Sequence, residues 1–355
     1  MREEIKKIIF AVVTFVLVFL FLQQLFMPKY LDGANTHGNM IREYYRSAMD
    51  HNVIFIGDCE VFASFSPVVL WDEFGMASFV RGSAQQLVWQ SYYILEETLR
   101  LETPDVIIVS VLAMQYDAPQ SEAYNRMTLD GMRWSTSKMR AIDASRTADE
   151  DWLSYFFPFF RFKDRWREIG AEDFKYFFRR PQVTLNGFMI RSDVRPASTF
   201  IPNIPRRATY QFGDKPLYYL ERIAALAEEN EIPLVLIKAP TLFPSWHSEW
   251  SEQINDFALK NNLRYINFLD YITEIGLDFS LHTFDGGYTL NVAGAEKLTR
   301  FFGEILTAEF ELPDRRNEPE TAQRWAEKSE LYHRIIARQL TEIEKYGEIL
   351  DFLVR

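Results

Sequence analysis

Val53-Ile54-Phe55-Ile56-Gly57-Asp58-Cys59 is the stretch on which the fold turns. An unbroken apolar run of this length makes a strand buried on both faces, and the Gly-Asp that follows opens a turn. The turn ends in Cys59, the single cysteine among 355 residues. A buried strand that delivers a small nucleophilic side chain to a strand-to-helix turn sets that group beside free backbone N–H donors, as acyl chemistry requires. Cys59 is therefore a candidate nucleophile, although a free cysteine also serves as a small buried hydrophobe. Asp58 reads as a turn former or helix N-cap, and Glu60 as a first-turn residue facing the helix dipole.

Outward from this stretch, apolar runs of strand length recur at 78–81, 105–112, 233–238 and 264–268, with helix-period segments between most of them. Val88, Tyr92, Leu95 and Leu99 share one helical face, as do Leu220, Ile223, Ala224 and Ala227. After the last run, Leu298, Phe301, Phe302, Ile305 and Leu306 repeat the i, i+3, i+4 pattern. This alternation predicts an α/β fold, a flavodoxin-like α/β/α arrangement of three layers with a mainly parallel sheet. The stretch from about 114 to 215 breaks the alternation and is rich in Arg and aromatics, including Trp152 to Phe160. So long a connection reads as a structured insertion after the third strand, mostly helical and capping the domain. Arg191, Arg195, Pro202, Pro205, Arg206 and Arg207 mark an irregular basic strip, either a solvated loop or an anion site. Beyond Pro313, the near-heptad spacing of Trp325, Tyr332, Ile336, Ile343 and Leu350 predicts one long amphipathic helix over 319–353, docked on the domain or on a partner chain. The division is thus 1–30, 31–312 and 313–355.

Ile8 to Leu22 carry no charge and the apolar run resumes to Met27, so about 20 residues at about 1.5 Å each match a bilayer's hydrocarbon core. No small-residue cleavage motif follows, and Pro28-Lys29-Tyr30 reads as an interface anchor, which favours an uncleaved signal-anchor. Arg2, Lys6 and Lys7 place the N-terminus in the cytoplasm and the main domain outside the cell membrane. A formal charge of −11 without a basic block argues against nucleic acid. Eight Trp, 17 Tyr and 30 Phe supply a substantial core and stacking surfaces for sugars. One cysteine excludes an intrachain disulfide and a cysteine metal cage. Five histidines without metal-ligand spacing leave no metal site or cofactor expected.

Gly57-Asp58 before Cys59, Gly82 after the second strand, and Asp285 with Leu290-Asn291 in the block 285–296 together resemble the SGNH/GDSL hydrolase superfamily, over roughly residues 50–310. Within it, the chain is most similar to membrane-anchored, extracytoplasmic proteins of the Gram-positive cell envelope that look like acyl-transfer factors. The resemblance implies a nucleophile at the Gly-Asp turn, an oxyanion hole from Gly82 and an asparagine after the third strand, and an acid and base from Asp followed by His-Leu-Asn. Cys59 stands where the family has Ser, which keeps a nucleophile provided its thiol pKa of about 8.5 is lowered. Thr289 stands where the family has its base, and threonine takes up no proton near neutral pH. Gln115, in Ala113-Met114-Gln115-Tyr116, substitutes for the asparagine.

Two histidines are candidates for the missing base. His282, in the loop 278–284, would complete a Cys59-His282-Asp285 set, and His247 follows the fourth strand at the sheet edge where α/β folds bind ligands. His37, His51 and His333 read as structural. Trp246, Arg126 and Arg133 are candidate substrate contacts. The two arginines, seven apart, would share a helix face to grip a carboxylate or phosphate, or else pair with Asp130 or Glu122. Two functions follow. One is an anchored acyltransferase or esterase acting on acyl groups of envelope polysaccharide. The other is a catalytically inactive binding or accessory protein for a multi-pass membrane acyltransferase or a polysaccharide export system.

Overall fold

Five short strands run parallel in the order β2-β1-β3-β4-β5, formed by β1 (Val53–Gly57), β2 (Ser78–Gly82), β3 (Val106–Ser110), β4 (Leu234–Lys238) and β5 (Arg264–Asn267). The computed structural model describes residues 2–27, 39–178, 180–197, 209–242 and 246–355. Every residue of β1 to β4 is buried, as expected of strands without polar alternation that are covered on both faces. Only the edge strand β5 shows solvent, at Arg264.

Before the sheet come α1 (Arg2–Phe26) and α2 (Asn39–Glu43), and between its first strands α3 (Cys59–Ser64), α4 (Pro67–Phe74) and α5 (Val88–Thr98). The insertion after β3 holds α6 (Glu122–Leu129), α7 (Thr136–Ser145), α8 (Leu153–Phe156), α9 (Pro158–Phe162) and α10 (Ala171–Phe178). Then follow α11 (Asp214–Glu229), α12 (Ser248–Lys260), α13 (Ile272–Ile275), α14 (Val292–Glu309) and α15 (Pro319–Tyr346). Alternate strand residues feed two cores. Val53, Phe55, Ile108, Val235 and Ile237 meet α4, α14 and α15 through Leu70, Leu298, Phe302 and Trp325. Ile54, Ile56, Ile107, Val109 and Leu236 meet α5, α11 and α12 through Leu95, Ile223 and Ile254.

The C-terminal helix docks on its own domain. Trp325 is buried and stacks on Trp71 with ring centroids 5.2 Å apart, and the Gln339 side chain bridges Ser192 N and Ile190 O at 3.0 Å each. A helical period near 3.6 makes Ile335, rather than the expected Ile336, the fully buried member of the stripe, and Gly347 at φ 80° closes the helix before Leu350.

The described part of the insertion is helical. Its helices pack along α5 and against α1, while its return segment, 191–197, lies beside the loop that precedes α14: Arg195 N donates to Thr283 O at 2.9 Å and Gly286 N to Arg195 O at 3.1 Å. Arg191 pairs with Asp193 at 2.7 Å. Pro202, Pro205, Arg206 and Arg207, the anchor Pro28-Lys29-Tyr30, and His37 lie outside the described residues. His51 is structural, its Nδ1 held 2.9 Å from buried Glu102. Helix α1 is long and apolar enough to cross a membrane.

Candidate functional site

The turn after β1 is built on close approach. A Cβ on Gly57 would lie 2.7 Å from Ser110 Cβ, and one on Gly82 would lie 3.2 Å from the carbonyl oxygens of both Gly57 and Asp58. Only glycines let β1 crowd β3 and β2 in this way. Asp58 caps α3, its Oδ1 accepting Glu60 N at 3.1 Å, and Cys59 is the first helical residue. Opposite the turn, the loop before α14 folds around Asp285. The carboxylate accepts Tyr288 N at 3.0 Å, Thr289 N at 2.8 Å, the Thr283 hydroxyl at 3.1 Å and the Thr289 hydroxyl at 2.5 Å. Leu242 N donates to Gly287 O at 2.7 Å, which draws this loop against the segment after β4. The carboxyl ends of β1 and β4 and the Asp285 loop thus meet at one edge of the sheet.

Cys59 is half-buried there, beside the acidic side chains of Asp58, Glu60 and Asp285. Burial, then the charges of Asp58, Glu60 and Asp285, push its thiol well up, away from the thiolate. Burial and then Glu60 likewise push Asp58 up to about 8. Beneath the turn is a pair that sequence reasoning missed. Glu60 and Lys238 are each fully buried and joined by a hydrogen-bonded ion pair; Lys238 Nζ also donates to Ala239 O at 2.6 Å. The other Glu60 oxygen accepts Ala239 N and the Ser110 hydroxyl, both at 3.3 Å. The available signal was a lysine closing an otherwise apolar strand, Leu234 to Lys238. Because that ammonium is bound to Glu60, it holds the end of β4 to α3 and is not directed at the thiol.

Asp58 carries a pH signature. Its folded-state acid lies above its unfolded value of 3.8, so between roughly pH 4 and 8 the folded chain holds a proton that the unfolded chain has lost. This contribution destabilises the fold increasingly as pH rises. Asp58→Asn retains the capping oxygen and removes the charge; we expect it to gain about 1–3 kcal/mol over the parent at pH 8 and nothing at pH 4, measured by urea unfolding.

The proposed base residues contact other groups. His282 is buried, with Nδ1 accepting Asp278 N at 2.8 Å; burial, then Lys297, push the ring's pKa down. The Asp285 bonds described above go to Thr283, Tyr288 and Thr289 rather than to an imidazole. His247 stands at the start of α12 between the rings of Tyr210 and Trp250, each 4.6 Å away. Trp246 donates to Ser251 Oγ at 2.7 Å and lies 5.9 Å from Lys238 Nζ, which sets it beside the buried pair. Gln115 Nε2 donates to Leu112 O at 3.1 Å within its own turn. Asn291 caps α14 through Gly294 N at 3.1 Å and ties Leu281 O at 2.8 Å.

The two arginines do not share a helix face, because α6 ends at Leu129. Arg126 is buried inside the insertion, bonded to Glu122 at 2.7 Å and to the Ser154 hydroxyl at 2.6 Å, over the ring of Tyr155. Arg133 is exposed and covers Tyr45, donating to its carbonyl at 3.2 Å. Among the described residues, no three His, Cys, Asp or Glu side chains are disposed to share a metal ion.

No family model matches this chain, and no curated protein matches it. Among solved structures it is similar to a G-D-S-L family protein from Desulfitobacterium hafniense DCB-2, at 13% identity and a TM-score of 0.34, over 73% of this chain and 99% of that one. It is also similar to the lipase/acylhydrolase from Enterococcus faecalis, at 10% identity and a TM-score of 0.34, over 74% of this chain and 97% of that one.

Proposed function

We propose that this protein is a membrane-anchored, SGNH-like accessory protein that binds acyl-bearing cell-envelope polysaccharide without hydrolysing it and presents it to a membrane acyltransferase. The observation that carries the reading is the Thr289 hydroxyl on Asp285 at 2.5 Å: a hydroxyl occupies the place a base would need. The burial of Cys59 among acidic side chains and the occupied Nδ1 of His282 support it further. The positively charged start of the chain, Arg2, Lys6 and Lys7, supports a cytoplasmic N-terminus with residues 31–312 outside. The resemblance carried by Gly57-Asp58, Gly82, Asp285 and Leu290-Asn291 points to acyl chemistry at this edge and leaves activity to the site itself.

The hydrolytic reading has one observation in its favour, the half-buried Cys59 at the first position of α3 with Gly82 beside the turn. It requires His282 to leave Asp278, or His247 to leave the rings of Tyr210 and Trp250, and reach the sulfur. The full chain, incubated with acylated wall polysaccharide, is expected to retain the polymer and release no acyl groups, and Asp285→Ala, which frees the loop, to weaken retention about tenfold. Acyl release that disappears in Cys59→Ala and in either His282→Ala or His247→Ala would establish the enzyme instead.

A further inference from the structure

The outer end of α1 is clasped by the aromatic helices of the insertion. Phe19 meets Phe157 with ring centroids 5.6 Å apart, Phe21 stacks on Phe177 at 4.7 Å, and Phe26 meets Phe159 at 5.0 Å. Two main-chain groups at helix ends are satisfied across this contact: Phe159 N donates to the Gln23 side chain at 2.6 Å, and Phe26 O accepts from Arg165 at 2.7 Å. Such pairing is what backbone groups need where water is excluded.

The depth of the clasp follows from length. If Lys7 marks one boundary of the apolar core, about 30 Å at about 1.5 Å per residue brings the other boundary to Met27. The contact from Phe19 to Phe26 then occupies about the last 10 Å of that thickness. Rings packed on Phe19 and Phe21 lie at the same depth. The same helices nevertheless leave large apolar groups uncovered: Phe157, Phe160, Trp166, Phe174 and Phe178, the last 93% exposed. Residues 161–180 also carry seven Lys and Arg against four Asp and Glu, in a chain whose formal charge is −11.

We propose that α8, α9 and α10, with the turn between the last two, form a second membrane element that lies in the outer lipid interface around the end of α1 and holds the α/β domain close against an anionic bilayer. Lipid is the occupant because the exposed rings continue the surface of a helix that itself crosses the bilayer. The aromatic and basic composition is that of an interfacial segment, with rings at the acyl boundary and cations at the headgroups. The domain is then fixed at two points, which restricts its swing about the anchor and keeps the Cys59 edge at a set height.

The test uses the full chain in nanodiscs of phosphatidylcholine and phosphatidylglycerol, with Cys59→Ser to remove the native thiol. Nitroxides are attached at Phe160→Cys, Phe178→Cys and, as a water-facing control, Leu259→Cys. These side chains are exposed, so the substitutions leave the fold intact. We expect the ratio of oxygen to nickel-chelate collision rates at positions 160 and 178 to exceed that at 259 at least tenfold, as for lipid-facing sites. A ratio equal to the control would overturn the proposal by showing an aqueous surface. Low accessibility to both agents would overturn it equally, by showing a protein partner or a second copy on this face.

Discussion

Lys238→Met is expected to lower the stability of the chain by about 3–5 kcal/mol near pH 8, the cost of leaving a buried carboxylate without its partner. Glu60 and Lys238 are fully enclosed, so neither can turn to solvent when the other is removed. In the variant, Glu60 keeps only the neutral donors Ser110 and Ala239 N, and burial holds its carboxyl above the usual range. The penalty should therefore shrink as pH falls and Glu60 takes up a proton, since the folded state then binds the proton that the unfolded state also holds. Glu60→Gln/Lys238→Met should recover at least half of the loss, because no uncompensated charge remains. Urea unfolding of the full chain in mild detergent reads both variants. A single-variant cost below about 1 kcal/mol would mean that the pair does not brace the turn carrying Cys59.

Trp325→Ala should be comparably severe, at about 3–5 kcal/mol, as for other large buried rings. The indole is 1% exposed, lies nearly parallel to Trp71 at 12°, and is covered on its outer side by Lys328 at 4.5 Å. Removing it opens a cavity between α15 and α4. If α15 is integral to the α/β domain, amides of α4 and α15 should lose hydrogen-exchange protection together. Loss of protection in α15 alone, with the unfolding midpoint of the sheet unchanged, would show the helix to be an appendage.

The sheet was legible because parallel strands covered on both faces leave unbroken apolar runs, and each of the five runs fell on its strand. The N-terminal helix was legible from its length and apolar composition, and the C-terminal helix from the period of its apolar residues. The Glu60–Lys238 pair was not, since its members lie 178 residues apart and each looks locally ordinary: an acid in a first turn, a lysine after a strand. The placement of the insertion was hidden as well. Its arginines and rings have the composition of a sugar-binding cap, and only three-dimensional packing shows Arg126 occupied by Glu122 and Ser154, and Phe157, Phe159 and Phe177 on α1. His282 illustrates a third limit. Position in a loop near Asp285 is readable from sequence, whereas ring direction depends on one backbone N–H, that of Asp278.

The central claim is that the carboxyl edge of the sheet holds a protonated thiol that no base among the described residues is placed to activate. The most direct test is the rate of Cys59 alkylation by iodoacetamide as a function of pH, in the parent chain and in Asp285→Asn, His282→Ala and His247→Ala. The predicted midpoint lies above pH 9, shifts downward when the Asp285 charge is removed, and is unchanged in both histidine variants. A midpoint below about 7 that rises on removal of either histidine would show a working thiolate–imidazole pair and contradict the account.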